Sequence, residues 1–173
     1  MAKADTSFEV LRCMQSTAAL NGAGRLVEEV AASRKTRPAL SVAAVHQDAV
    51  TRGWATEMWA RVLEAIGHAG IQFQSWTLGE LTAPGSLAEA VRAAAEADVV
   101  VVSVRDAGDW PRQLDTWTEC WLLGRGGRAG ALVALIGVPS QPDPQAGRAH
   151  AYLEAVALRA GLDFLPRERK LPD

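Results

Sequence analysis

Cysteine is nearly absent from this chain: Cys13 and Cys120 are the only two in 173 residues. Neither belongs to a CxxC pair or stands beside a histidine, so zinc sites and dithiol redox motifs lack their ligands. Two buried free thiols are expected instead. An excess of one charge is also missing, because 18 Lys+Arg against 20 Asp+Glu leave a formal net charge of −2. That balance gives no electrostatic footprint for nucleic acid as a main partner. No run approaches the roughly 18 apolar residues of a membrane span. The opening residues MAKADTSFEVLRCMQ place Glu9 and Arg12 where a signal peptide needs unbroken apolar sequence. A cytoplasmic protein without membrane association is therefore expected. GxSxG, HExxH and GxGxxG do not occur, which removes the usual support for hydrolase, zincin and Rossmann dinucleotide chemistry. No internal repeat is visible.

What is present describes one globular domain. Hydrophobic residues make up 49% and charged residues 22%, enough for a sizeable core at this length and too little chain for two ordinary domains. Arginine outnumbers lysine fifteen to three, a coding bias of GC-rich bacterial genomes.

The chain divides near Pro38. Thr6 and Glu9 have capping-box spacing, and Phe8, Leu11, Met14 and Ala18 recur at helical intervals up to Gly22. Residues 1–38 read as a helical arm and linker, with two destinations: the sheet edge of its own chain or a partner subunit. From Ala39 onward the pattern alternates strand and helix, as βαβ units do. Leu40 to Val45 predicts the first strand, and Thr51 to His68 a helix striped with Trp54, Met58, Trp59, Val62, Leu63 and Ile66. Ile71 to Thr77 predicts the second strand. Ser86 and Glu89 have the spacing of another capping box, after Pro84. Val99 to Val104, interrupted only by Ser103, reads as a strand buried on both faces of a parallel sheet. Pro111 begins a helix carrying Leu114, Trp117 and Trp121, and Ala131 to Val138 is a fourth strand. Asp143 with Pro144 is the expected start of the last helix, Gly161 its end, and Leu162 to Leu165 a short fifth strand. The expected fold is α/β: a three-layer sandwich over residues 39–173, with a five-stranded parallel sheet of order 2-1-3-4-5 and the N-terminal helical extension.

In such a sheet ligands bind beyond the carboxyl ends of the strands, where the strand order reverses. Three turns meet there. After the first strand come His46, Gln47 and Asp48, then Thr51, Arg52, Gly53 and Thr56 at a helix start, where backbone N–H groups favour a phosphate. Arg105, Asp106, Gly108, Asp109 and Trp110 follow the third strand, and Gly137, Pro139, Ser140 and Gln141 end the fourth. His46 stands where a general acid or base would act, but no nucleophile accompanies it and no catalytic residue is assigned.

The segment from Val102 to Trp121 resembles the NAD(P)H-dependent flavin mononucleotide reductases of the flavodoxin-like group. SVRDAGDW stands where that family has a strand ending in a Pro-Glu-Tyr-Asn turn; Pro111, Leu114, Asp115 and Trp117 follow in similar order, and LVALIGV at 132–138 is similar to the family's fourth strand. The resemblance implies FMN as cofactor, but only Pro111, Leu114 and Trp117 carry over from the family, as fold-supporting positions; the strand-end turns are what would set Thr51, Arg52, Gly53 and Thr56 around its phosphate and Arg105, Asp106, Gly108 and Trp110 near its ring. The chain departs from the family at both turns. VHQDAVTRGW replaces a Ser- and Arg-rich phosphate turn, and Ala107, Gly108 and Asp109 replace the Tyr-Asn pair. The reading that follows is a flavodoxin-like protein without clear flavin-binding residues, acting through association or an unidentified ligand. Its alternative is an FMN-dependent NAD(P)H oxidoreductase. A minor alternative is a receiver-like phosphoacceptor domain with Asp106 as acceptor, although Asp48 has no acidic neighbour and no lysine follows the fifth strand before Lys170. No metal site is expected.

Six tryptophans stand against one tyrosine and three phenylalanines. Trp59, Trp117 and Trp121 are expected in the core or an interface, whereas Trp54 and Trp110 fall in ligand-facing turns. A homodimer through the Trp-rich helix surface or the arm is the partner expectation.

Overall fold

The computed structural model describes residues 40–171 except 68, 107–109, 142 and 145. The expected arm, residues 1–38, lies outside the described residues. So does Gly108.

Five parallel strands form one sheet in the order β2-β1-β3-β4-β5. They are β1 (Leu40–His46), β2 (Ile71–Thr77), β3 (Val99–Arg105), β4 (Ala131–Val138) and β5 (Asp163–Lys170); the helices between them are α1 (Ala49–Ile66), α2 (Pro84–Glu96), α3 (Arg112–Arg125) and α4 (Arg148–Ala160). The α/β arrangement is compatible with a flavodoxin-like fold. Every residue of β3 from Val99 to Val104 is buried, as a central parallel strand covered on both faces requires.

The two faces are unequal. On one, Ala90 and Ala94 of α2, Leu114, Trp117 and Trp121 of α3, and Leu153, Val156 and Ala157 of α4 pack over Val45, Val100, Val102, Leu132 and Ile136. On the other, α1 sets Ala55, Val62 and Ile66 against Val42, Ala44, Val101 and Leu135. Trp117 and Trp121 are fully buried with ring centroids 5.8 Å apart, so the Trp-rich stripe of α3 is monomer core. Trp59 is half-buried and stacks on Phe73 at 4.7 Å.

Four local expectations are corrected. Ser86 and Glu89 do not cap α2, which starts at Pro84 with no side-chain cap, because proline at the first turn needs no partner for a missing N–H. Helix α4 begins at Arg148, beyond Asp143 and Pro144, since its cap comes from Asp106, distant in sequence. Strand β5 runs to Lys170 instead of stopping at Leu165, pairing with β4 along its whole length; its charged second half suits an edge. Cys120 is exposed, because positions 117, 118 and 121 of α3 take the inward face.

At the amino end of the sheet, buried Arg125 donates to the carbonyls of Ala94 (2.9 Å), Arg128 (3.1 Å) and Ala129 (3.3 Å). Burial lowers its pKa to about 10, so it keeps its charge at neutral pH.

Candidate functional site at the carboxyl edge of the sheet

The turn after β1 is built around the start of α1. Asp48 is the N-cap, and its Oδ1 accepts from the Thr51 backbone N–H at 2.9 Å. The Thr51 hydroxyl oxygen accepts in return from the backbone N–H groups of Asp48 (2.9 Å) and Gln47 (3.0 Å). This reciprocal box satisfies donors that a helix otherwise leaves open. Thr51 is completely buried, and its carbonyl accepts from the Ser103 hydroxyl at 2.7 Å, tying α1 to β3.

Strand β3 completes the electrostatics. Arg105 Nε donates to Asp48 Oδ2 at 2.5 Å, and the Arg105 backbone N–H donates to Gln47 Oε1 at 2.9 Å. Burial raises the Asp48 carboxyl, but the Thr51 N–H and the Arg105 guanidinium outweigh it and hold the group below the usual carboxylate range. The positive end of α1 and the nearest buried-edge cation thus already share one carboxylate.

The rest of the expected phosphate turn lies outside this box. Arg52 and Gly53 are exposed, and a Cβ placed on Gly53 would meet nothing within 4 Å. The exposed Thr56 hydroxyl donates back to the Arg52 carbonyl at 3.0 Å. Thr51 is therefore apart from Arg52, Gly53 and Thr56 in both burial and bonding.

Asp106 is buried and binds another helix. Its carboxylate accepts from the backbone N–H of Gly147 and, at 3.0 Å, of Ala149. It caps α4 across the sheet, the arrangement that orphan N–H groups at a helix start favour.

Trp110 is half-buried. Its indole N–H donates to Asp115 Oδ1 at 2.7 Å, its ring meets Tyr152 edge-on at 4.8 Å, and Arg148 lies 5.6 Å above it. Burial, with Asp115 nearby, pushes the Tyr152 phenol up to about 12. Sequence reasoning singled out Trp110, and named Asp115 only in the family pattern, without Arg148 or Tyr152, because α4 reaches the indole only through the tertiary fold.

His46, at the end of β1, is 3% exposed, and neither ring nitrogen has a hydrogen-bond partner among the described residues. Burial and then Arg52 lower its pKa, against opposing effects of Glu80 and Asp48. The imidazole is neutral near pH 7. No group of three or more His, Cys, Asp or Glu side chains capable of holding a metal ion occurs among the described residues, and no described helix is long and apolar enough to cross a membrane. Comparison with protein-family profiles and with curated proteins found no match to this chain.

Proposed function

We propose that this chain is a flavodoxin-like binding domain that works through association, without flavin redox chemistry. One observation carries the reading: the ionised Asp48 carboxylate occupies the N-terminus of α1, hydrogen-bonded there by the Thr51 N–H and ion-paired with Arg105. A phosphate entering that position would meet a carboxylate whose protonation is disfavoured, and like charges at one helix start repel. Asp106 supports the same reading against a phosphoacceptor, because its two oxygens are committed to the start of α4. Trp110 is likewise engaged by Asp115, Arg148 and Tyr152, which leaves a flavin ring to compete with existing contacts.

The test is titration of the purified protein with FMN, followed by tryptophan fluorescence and visible absorbance. A colourless protein whose emission is unchanged up to about 100 μM FMN is expected, a concentration that would fill a working cofactor site. Saturable quenching at low micromolar FMN overturns the reading and returns the oxidoreductase alternative. Asp48→Ser keeps a capping oxygen while freeing Arg105, so this variant should bind inorganic phosphate more tightly than the parent does.

A further inference from the structure

We propose that the edge of β2, unpaired on its outer side among the described residues, takes a second copy of this chain, paired antiparallel about a two-fold axis at Phe73. The inference rests on the association reading above and names the partner.

The two edges of the sheet are built differently. Strand β5 carries Pro166 and the charges Asp163, Arg167, Glu168, Arg169 and Lys170, devices that keep a sheet edge from pairing. Strand β2, IQFQSWT, carries no charge and no proline. Among the described residues it pairs only with β1.

Backbone geometry sets the register. The Leu40 N–H donates to Gly70 and the Leu78 N–H donates to His46, at 3.3 and 2.8 Å. Even-numbered residues of β2 therefore turn their backbone groups toward β1, leaving Ile71, Phe73, Ser75 and Thr77 facing outward. The Thr77 N–H already donates to Glu80 Oε2 at 2.6 Å. Ile71 to Ser75 remains, and its midpoint is Phe73. In an antiparallel pair, residues that exchange hydrogen bonds must both face outward. Phe73 opposite the partner's Phe73, with Ile71 opposite the partner's Ser75, satisfies that condition along the whole segment.

The side chains fit the same axis. On the α2 face, Gln72 falls opposite the partner's Gln74. A cavity of about 380 Å³ lies open there, lined by Gln72, Gln74, Glu89, Arg92 and Glu96 among others. The Ser41 hydroxyl donates to the Glu96 carbonyl at 3.4 Å, and Ser41 is the register partner of Gln72, so Glu96 stands level with Gln72. Arg92 lies one turn earlier, about 6 Å along α2, close to two strand residues and level with Gln74. The axis that sets Gln72 against the partner's Gln74 therefore sets Glu96 across from the partner's Arg92, and Arg92 across from the partner's Glu96. An isologous interface repeats each contact. This one is self-complementary in charge.

Analytical ultracentrifugation of the full chain across micromolar concentrations tests the proposal, with amide hydrogen exchange at residues 71, 73 and 75. A dimer is expected, with those three amides protected in it. Arg92→Glu should weaken it at least about tenfold, since the change falls on both copies. Arg92→Glu combined with Glu96→Arg should restore it. Gln74→Lys, on an exposed position, should weaken it while leaving the melting temperature unchanged at concentrations low enough for the parent to be monomeric. A monomer at every concentration overturns the proposal, as does a dimer indifferent to both Arg92→Glu and Gln74→Lys. FMN titration reports on flavin independently of mass, so the association reading and this surface can fail separately.

Discussion

Replacement of His46 by leucine would test the physical description of the site most directly. The side chain is 3% exposed and neither ring nitrogen finds a partner among the described residues. A neutral imidazole in that position buries a donor and an acceptor without return, at a cost of about 1–3 kcal/mol. Leucine removes both and keeps apolar volume beside Val42 and Ala44 on the α1 face of β1. After allowance for imperfect shape, His46→Leu should stabilise the protein by roughly 1–2 kcal/mol at pH 7, raising the melting temperature by about 2–8 °C for a chain of this size. The gain should grow in acid. Burial lowers the folded pKa from 6.5, so below 6.5 the unfolded chain binds the proton more readily than the folded one. The parent's stability from this group is complete above 6.5 and is lost as pH falls through the folded pKa. The difference between parent and variant should therefore widen below pH 6.5 and be flat above it. Urea unfolding at a series of pH values reads both effects. A destabilised variant, or a parent-to-variant difference independent of pH from 7 to 5, would refute the reasoning and show that the imidazole is hydrogen-bonded in solution.

Two further predictions address the neighbouring turns. Gly53 lies within α1 with open space around its missing Cβ, so Gly53→Ala should stabilise by about 0.5–1 kcal/mol through helix propensity; a loss of stability in thermal melts would show that the backbone there is constrained. Asp106→Ala removes the acceptor for the N–H groups of Gly147 and Ala149, and should cost roughly 2–3 kcal/mol with exchange protection lost first at the start of α4. Uniform loss across the sheet, without that local effect, would contradict the capping role.

The sheet was legible because its signals are local. Val99 to Val104, interrupted only by Ser103, and Ala131 to Val138 announce buried parallel strands by their runs of apolar sequence. The α1 stripe has helical period, and Gly161, with φ 66°, ends α4 in the left-handed region as a C-terminal glycine should. Strand β5 was half missed for a related reason. Beyond Leu165 it is an edge of one proline and four consecutive charged residues, which local pattern cannot separate from a loop.

The candidate site was legible only as a place. His46, Asp48, Thr51, Arg105 and Asp106 all reach the carboxyl edge of the sheet because the strand–helix alternation puts them there. Their chemistry depended on partners 41 to 58 residues away: Asp106 with Gly147 and Ala149, Arg105 with Asp48, and the Arg105 amide with Gln47. By itself the sequence determined the strands, the helices and the end of the sheet on which a ligand would sit, because backbone preference and hydrophobic period act over a few residues. Only the tertiary structure decided that Asp106 closes the start of α4, that Arg105 pairs with Asp48, that His46 is buried with no partner among the described residues and that β2 is the uncharged edge. Each of those facts is a relation between segments brought together by the parallel crossovers, and relations of that range leave no periodic trace in the chain.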